Sequence, residues 1–429
     1  MSTTLRIGIA GLGTVGVGTL LLIQQNAAAI AARTGRDVNV IAVSMRDVKK
    51  KRDAKLDGIR IESDAKKIAD AADIDVVVEL IGGDEGIARD VVTTALQNRK
   101  HVVTANKALI AKHGFALSQL AEQNNVVLAF EAAVAGGIPI IGALRSGLAA
   151  NKILRIAGIL NGTCNYILTT MQKEQRDFAD VLADAQKLGY AEADPSFDVD
   201  GIDTAHKVSI LASLAFGTRP DFAAVHVEGI CRISIADIDY AASFGYRIKL
   251  LGIATMENGK LLQRVHPCLV PATSPLGVID GPFNAVQVEG DAVGRVVFEG
   301  RGAGGGPTGS AVVADIIAIA RGDTFPAFTV AAKDLLQPAA APLDAHQGCY
   351  YLRLSLKDEP GVLAEFTRAF AGESISVHSI TQRAIASDHS AQVIVITHET
   401  NEAAVARAAA TIAKLPISVT APVVLRIES

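Results

Sequence analysis

Short, continuously apolar runs alternate with longer helical stretches over the first third of the chain. The stretches at about 15–33, 86–98 and 108–124 look helical. The apolar runs between them are LRIGIA (5–10), VNVIAV (38–43), DVVVEL (75–80), HVVT (101–104) and VVLAF (126–130). Strands that are apolar at every position are buried on both faces, as in a parallel sheet covered by helices. The pattern predicts a doubly wound α/β domain over residues 1–135.

A second mixed unit is predicted from 136 to 335. Two helical segments flank an acidic loop at 190–203, and a glycine-rich turn at 300–309 opens a helix from about Ser310. This helix is in a position to pack back on the first domain. Strand-like pieces lie between the loop and the turn, at 248–255, 261–270, 284–290 and 294–299.

The last part of the chain has a compact βαββαβ pattern, predicted as a third domain over 349–429. Residues 337–348 before it are rich in Pro and Ala, with little periodicity, which is typical of a linker. The strands are predicted at Tyr350–Leu356, Ile375–Gln382, Ala391–His398 and Pro422–Ile427, and the helices at Pro360–Ala371 and Glu402–Leu415.

Composition narrows the classes of function. The 429 residues are 49% hydrophobic and 20% charged, with a net charge of -4. Near-balanced charge argues against a nucleic-acid partner, and high hydrophobicity argues against disorder. The apolar run Ala132–Leu144 contains Pro139 and is too short to span a membrane. We therefore expect neither a nucleic-acid nor a membrane partner.

The segment from Ile7 to Ala32 resembles a signal peptide, because it has no charged residue and follows the positively charged Arg6. Glycines interrupt its apolar core and no clean cleavage site follows, which argues against secretion. The four cysteines are scattered, without a Cys-x-x-Cys pair. We therefore expect neither a disulfide framework nor a zinc site. We expect a cytoplasmic location.

A glycine-rich motif follows the first strand and opens the first helix. In Gly11-Leu12-Gly13-Thr14-Val15-Gly16 the three glycines allow a tight turn, a close approach to a pyrophosphate and close helix–sheet packing. Main-chain N–H groups and the helix dipole would then bind the phosphates. The alternative is a purely structural turn.

The end of the second strand bears on the choice of cofactor. Sites specific for NAD place a carboxylate there, whereas this chain has Ser44 and Arg46, followed by Lys49–Lys51 and Arg52. Cations suit the 2′-phosphate of NADP(H), which we expect to be preferred. Asp47 is nearby, so NAD(H) remains possible, and a solvated basic loop is the alternative interpretation.

The segment GYAEADPSFDVDGID (189–203) contains five carboxylates and leads into an apolar helix. Asp203 and Lys207 are four residues apart and share a helix face. Carboxylates suit a substrate with an ammonium group, and a lysine suits proton transfer to a carbonyl oxygen. A second lysine, Lys107, follows an apolar strand at the carboxyl edge of the sheet, where ligands bind in such folds. The alternatives are a surface ion pair and a surface lysine.

Together these residues resemble homoserine dehydrogenase over nearly the whole chain. The pattern from Ala185 to Lys207 is the hallmark of that family. Supporting segments are AGLGTVG (10–16), ELIGG (79–83), TANKAL (104–109), FEAAVAGGIPII (130–141), GILNGTCNYIL (158–168) and GRGAGGGPTGSAV (300–312). The C-terminal DEPGVLAEFTRAF (358–370) resembles an ACT domain, an amino-acid-sensing module.

The resemblance implies interconversion of L-aspartate 4-semialdehyde and L-homoserine with NAD(P)H. Lys207 matches the group that transfers the substrate proton, and Lys107 matches a lysine near the nicotinamide and the reacting carbon. The sequence leaves the division of proton transfer between them open. Glu192 and Asp203 match carboxylates that hold the substrate's amino and hydroxyl groups. Main-chain contacts to the nicotinamide are implied for Gly189, Gly304 and Gly306.

Three further properties are implied. Glu131, with the carbonyls of Val134, Gly136 and Ile138, matches a monovalent-cation site, usually sodium, although a buried glycine-rich turn is the alternative. Threonine is the implied inhibitor, held at the helix start Pro360-Gly361-Val362. Because ACT domains usually pair across subunits, a homodimer or homotetramer is expected.

Rival interpretations remain open. A non-catalytic amino-acid sensor could bind NADP as a structural ligand, and a diaminopimelate or saccharopine dehydrogenase would share the fold. The set of Glu192, Asp203, Lys107 and Lys207 argues against the first, and the acidic loop against the second. Because no kinase-length segment precedes the glycine motif, we do not expect a fused aspartokinase.

Overall fold

The computed structural model describes residues 4–47, 52–385 and 390–428. Within these ranges the N-terminal part forms a parallel sheet of six strands in the order β3-β2-β1-β4-β5-β6. The strands are β1 Thr4–Ala10, β2 Asp37–Ser44, β3 Arg60–Glu62, β4 Val76–Glu79, β5 His101–Thr104 and β6 Leu128–Ala129. The predicted doubly wound fold is confirmed. The strand order reverses at β1 and β4, which opens a crevice at their carboxyl ends.

The N-terminal helices cover this sheet. They are α1 Thr14–Gln25, α2 Ala27–Thr34, α3 Lys66–Asp70, α4 Ile87–Gln97 and α5 Lys107–Gln123. The prediction of one helix over 15–33 is wrong, because Asn26 leaves the helical region (φ -109°, ψ 17°) and α1 and α2 meet at 76°. In the described residues no single helix is long and apolar enough to cross a membrane, although bent α1 and α2 together would qualify by length and composition.

The middle of the chain builds an antiparallel sheet next to helices. Strands β9 to β12 and the helix after them follow the predicted order, whereas β7 and β8 were not predicted. In β7, Arg155 interrupts the apolar pattern, and its guanidinium is 2.9 Å from the Glu428 carboxylate. The elements are α6 Ile140–Gly142, β7 Ile153–Ile159, α7 Gly162–Glu174, α8 Phe178–Lys187, α9 Ser196–Val199, α10 Ile202–Phe216, β8 Val225–Val227, α11 Ile235–Ser243, β9 Tyr246–Glu257, β10 Lys260–Pro271, β11 Phe283–Gly290, β12 Gly294–Arg301 and α12 Gly305–Arg321.

Helix α12 returns to the N-terminal domain and lies directly on α1. A Cβ added at Gly18 would lie 2.1 Å from the carbonyl oxygen of Gly305, and one at Gly309 would lie 2.9 Å from the amide nitrogen of Thr19. The two backbones therefore touch, and side chains there would separate them. The helix begins at Gly305 rather than at Ser310, because these glycines serve a helix crossing and not only a turn.

The C-terminal elements form the predicted βαββαβ unit, and its sheet continues the sheet of the middle domain. The path is β12-β11-β7-β9-β10-β17-β13-β15-β14, with β10 and β17 parallel where Cys268 faces Arg426. Buried Arg426 donates to both Glu402 and Glu228. The elements are β13 Gln347–Lys357, α13 Val362–Gly372, β14 Val377–Ile385, β15 Ser390–Thr397, β16 Thr400–Asn401, α14 Glu402–Ala413 and β17 Val423–Ile427.

The segment 337–348 is not a free tether between these parts. The Leu261 N–H donates to the Ala339 carbonyl (3.0 Å), and the Ala341 N–H donates to the Leu261 carbonyl (2.9 Å). Residues Leu343–Ala345 add a 3₁₀ turn. The linker prediction missed this docking, because the segment is held by main-chain hydrogen bonds that leave no side-chain periodicity.

Candidate active site

The glycine-rich turn leaves space above the start of α1. Gly11 has φ +102°, and a Cβ at Gly16 would lie 2.3 Å from the Gly11 carbonyl oxygen. By contrast, a Cβ at Gly13 would meet no heavy atom of the described residues within 4 Å. Gly11 and Gly16 therefore permit the turn itself, while Gly13 keeps open the surface where main-chain N–H groups can approach a phosphate. Thr14 and Val15 begin the helix behind it.

A cavity of about 730 Å³ opens beside this turn. Arg46 and Asp47 line it together with Gly11, Leu12, Gly13 and Ser44. The Gly11 N–H donates to Ser44 Oγ (3.2 Å), which fastens the turn to the end of β2. Arg52 Nε donates to the Leu12 carbonyl oxygen (3.0 Å), so this arginine serves the turn itself. Predicted Lys49–Lys51 lie outside the described residues.

A second cavity, of about 610 Å³, lies between the N-terminal and middle domains. It brings together groups that are far apart in the sequence and come from α5, α10, the acidic loop and the turn before α12. Its lining includes Val15, Lys107, Gly136, Gly189, Glu192, Asp203, Lys207 and Gly304. Gly306 does not line it.

Both lysines converge on one buried carboxylate. Asp203 Oδ2 is 2.7 Å from Lys207 Nζ, and Asp203 Oδ1 is 2.9 Å from Lys107 Nζ. Burial alone would raise the pKa of Asp203, but the two ammonium groups outweigh it and hold this pKa well below its ordinary range. Asp203 is 4% exposed and Lys207 9%, so the pair is not a surface ion pair.

The two lysines differ in their electrostatics. Burial lowers the pKa of Lys207, and the charge of Lys107 lowers it further, while Asp203 only partly compensates. Burial also tends to lower the pKa of Lys107. The carboxylates of Asp203, Asp198 and Glu192 outweigh this effect and raise the pKa above its ordinary value. Lys207 is therefore the lysine from which a proton leaves more easily.

Comparisons with known proteins identify the family of this chain. The family model of homoserine dehydrogenase matches residues 139–317, and the model of its NAD-binding domain matches 11–131. The chain belongs to the homoserine dehydrogenase family. It is 44% identical to the enzyme of Neisseria gonorrhoeae over 99% of this chain and 98% of that one. An ACT domain model matches residues 350–417.

Solved structures give the same result. A homoserine dehydrogenase from Thiobacillus denitrificans superimposes with a TM-score of 0.93 at 43% identity, covering 99% of this chain and 98% of that one. A hyperthermophilic archaeal homoserine dehydrogenase in complex with NADPH matches 73% of this chain and 97% of its own, with a TM-score of 0.61 and 28% identity. As a homoserine dehydrogenase family member, this chain is an NAD(P)-dependent oxidoreductase of amino-acid biosynthesis.

A polar network fixes Lys107 at the start of α5. Thr104 Oγ1 donates to the buried carboxylate of Glu79 (2.5 Å), and the Asn106 N–H donates to Thr104 Oγ1 (3.0 Å). Asn106 then caps α5 by accepting the Leu109 N–H (3.1 Å). The ELIGG and TANKAL segments thus position Lys107, which is the first residue of the helix.

Asn161 was not predicted as a site residue. Its Nδ2 donates to Asp203 (2.8 Å) and to Asp198 (2.7 Å), and its Oδ1 accepts the Cys164 N–H (2.8 Å). It therefore caps α7 and connects two carboxylates of the acidic loop. The segment GILNGTCNYIL contains it, but no charge or spacing in that segment points to this role.

Other predicted residues surround the cavity. Glu192 is exposed at its mouth, and Gly189 has φ +76°, which favours glycine there.

The predicted threonine turn lies in the C-terminal domain, where exposed Gly361 (φ +95°) precedes α13 and Val362 begins this helix.

The predicted cation turn lies between β6 and α6. Buried Glu131 accepts the N–H groups of Ile141 (2.8 Å) and Gly142 (2.6 Å), and burial raises the pKa of its carboxyl. Ala135, inside the turn, has φ +50°, a backbone conformation uncommon for residues other than glycine. The groups predicted to bind the cation, the Glu131 carboxylate and the carbonyls of Val134, Gly136 and Ile138, are all oxygens, the donor type that hard cations prefer.

Proposed function

We propose that the chain reversibly reduces L-aspartate 4-semialdehyde to L-homoserine, with Lys207 as the group that protonates the substrate oxygen. The nicotinamide, when bound, supplies the hydride for reduction and accepts it in oxidation. The observation that carries this proposal is the pair of lysine ammonium groups on buried Asp203, at 2.7 and 2.9 Å. A lysine whose pKa is lowered gives up its proton more readily than an ordinary lysine does.

Lys207 has the hydrogen-bond capacity for this role. Its Nζ donates to the Leu160 carbonyl oxygen (2.6 Å) and to Asp203 (2.7 Å). An ammonium group has three N–H donors, so one is left for the substrate oxygen. Lys107, with its raised pKa, stays charged, stabilises the developing negative charge and orients the cofactor.

We also propose that Glu192 and Asp203 hold the substrate. Glu192, exposed at the mouth of the cavity, suits the substrate ammonium group, and Asp203 accepts from the hydroxyl. Gly189 and Gly304 would present main-chain groups to the nicotinamide end. Gly306, the second residue of α12, does not line the cavity, so its proposed contact would require the start of this helix to move.

The central test is an absorbance assay at 340 nm with L-homoserine and NADP⁺, repeated with other amino acids. Turnover with homoserine supports the proposal. Binding of the cofactor without turnover would support the non-catalytic sensor, and preference for diaminopimelate or saccharopine would support the rival dehydrogenases.

We propose that NADP(H) is preferred over NAD(H), because Arg46 lines the cavity beside the phosphate-binding turn. A guanidinium suits the 2′-phosphate, which NAD lacks. We expect Arg46→Ala to raise KM for NADP⁺ about tenfold while changing KM for NAD⁺ little, the size expected of one charge-assisted hydrogen bond. Arg89→Ala, an exposed arginine on α4, is the control. Equal effects on both cofactors would contradict this role.

We propose that a monovalent cation, sodium, binds Glu131 and the carbonyls of Val134, Gly136 and Ile138. The oxygen chemistry of these groups supports it, together with the burial of Glu131. This turn is adjacent to the catalytic cavity through Gly136, so the cation would stabilise the position of the cavity wall.

We propose threonine as an inhibitor that binds at Pro360–Val362 in the ACT domain. We expect L-threonine to lower the initial rate and raise the thermal midpoint, and Gly361→Val to abolish both effects without changing the uninhibited rate. A residue with Cβ is strained at φ +95°, which would distort the helix start. Gly372→Ala, at the other end of α13, is the control. Undiminished inhibition of Gly361→Val would exclude this turn.

We propose a homodimer or homotetramer. The continuous sheet ends in strands β12 and β14, within the part of the chain described. Edge strands expose main-chain donors and acceptors, which a second subunit can pair.

A further inference from the structure

Asn284 is a buried polar residue beside the catalytic cavity for which the roles above give no explanation. It is the second residue of β11, lines the cavity that holds Lys207, and is 1% exposed. Neither its Oδ1 nor its Nδ2 has a hydrogen-bond partner among the described residues. Burying an amide without partners is costly, so a fold that keeps one beside a ligand cavity points to a partner that arrives with the ligand.

The surroundings of Asn284 limit what that partner can be. A Cβ added at Gly302 would lie 2.3 to 2.4 Å from the atoms of the Asn284 amide, so this amide stacks on the Gly302 backbone. Gly302 belongs to the turn before α12, and a Cβ at Gly305 would lie 2.9 Å from the Thr14 carbonyl oxygen of the phosphate-binding turn. A Cβ at Gly162 would lie 3.5 Å from Asn284 Oδ1, so the amide lies between the turn before α12 and the start of α7.

We propose that the Asn284 side chain binds the carboxamide of the cofactor's nicotinamide ring. This rests on the proposed function only in taking the cavity between the two domains as the nicotinamide site. A carboxamide offers a carbonyl acceptor and N–H donors in one plane, so it satisfies Oδ1 and Nδ2 together. A carboxylate or an ammonium group alone would leave one Asn284 atom unpaired. A homoserine that presents both groups is the competing partner, which the test below distinguishes.

The proposal includes a movement of the turn. Both amide atoms are sealed from solvent, so Gly302–Gly304 must shift for the carboxamide to reach them. The sequence Gly302-Ala303-Gly304 permits this, because Gly304 already has φ +113° and glycine tolerates most backbone conformations. Cofactor binding would therefore rearrange this turn.

The test measures binding rather than turnover. Isothermal titration calorimetry would compare NADPH with ADP-ribose 2′-phosphate, which lacks the nicotinamide, on wild type and Asn284→Leu. We expect the substitution to weaken NADPH about ten- to hundredfold, as for the loss of two hydrogen bonds, and to leave the fragment unchanged. Wild type should also bind the 3-acetylpyridine analogue of NADPH more weakly than NADPH, and the variant should lose this discrimination.

A purely structural role predicts a different pattern. Because Asn284 has no partner among the described residues of the unliganded protein, Asn284→Leu should leave its thermal midpoint unchanged or higher, whereas loss of a structural hydrogen bond would lower it. Wild-type NADPH affinity in the variant would overturn the proposal, as would a change confined to KM for homoserine. Absence of homoserine turnover in wild type would contradict the catalytic roles but not this binding comparison.

Discussion

Replacing Lys207 with alanine is expected to abolish measurable turnover while leaving NADPH affinity nearly intact. Loss of a positioned general acid typically slows a reaction about 10²- to 10⁴-fold. The effect should appear in kcat in both directions, because the same group gives the proton in reduction and takes it in oxidation. Lys207 lines the proposed nicotinamide cavity but not the cavity beside the phosphate-binding turn, where the phosphates would be held, so NADPH affinity should change little.

Steady-state kinetics and NADPH titration on the purified variant would measure this. Lys187→Ala on α8 is the matched control, since that side chain is 76% exposed and pairs only with surface Asp184 among the described residues. The control should keep wild-type kcat. Activity of Lys207→Ala close to wild type would remove Lys207 from the chemistry and leave Lys107 as the proton donor.

The sequence predicted local features of the site better than its assembly. Three local features could be predicted, because each depends on neighbours within about one turn or strand. They are the glycine turn, the Asp203–Lys207 spacing and the position of Lys107 after a strand. The contact of Lys107 with Asp203 could not be predicted from the sequence. It depends on how α5 and α10, about one hundred residues apart, pack across the domain boundary.

The failures of the fold prediction have similar causes. Strand β7 contains Arg155, whose charge interrupts the apolar pattern by which a strand is predicted. In the fold this charge is compensated by Glu428, near the other end of the chain. The glycines of α12 look like turn residues, yet they allow its backbone to touch α1. Asn161 and Asn284 are neutral residues within apolar segments, and only their three-dimensional neighbours distinguish them from ordinary capping or strand residues.

Replacing Asp203 with asparagine should affect both activity and stability, because one carboxylate compensates two lysine charges. The amide would keep the shape of the side chain but lose its negative charge, so Lys107 and Lys207 would repel each other inside the cavity. Breaking a buried ion pair by removing one partner costs about 3–5 kcal/mol, and deprotonation of Lys207 would relieve part of this. We therefore expect kcat to fall about 10²-fold or more, with the free energy of unfolding reduced by about 1–3 kcal/mol.

Asp200→Asn separates this effect from a general loss of acidic charge in the loop. Asp200 is three residues away and exposed, and its carboxylate contacts the Cys231 thiol at 3.6 Å. Its substitution should leave kcat and the urea midpoint near wild type. If Asp203→Asn behaved like Asp200→Asn, the two lysines would not depend on the carboxylate. The lowered pKa of Lys207 would then come from burial and from Lys107 alone, and Asp203 would serve the substrate only.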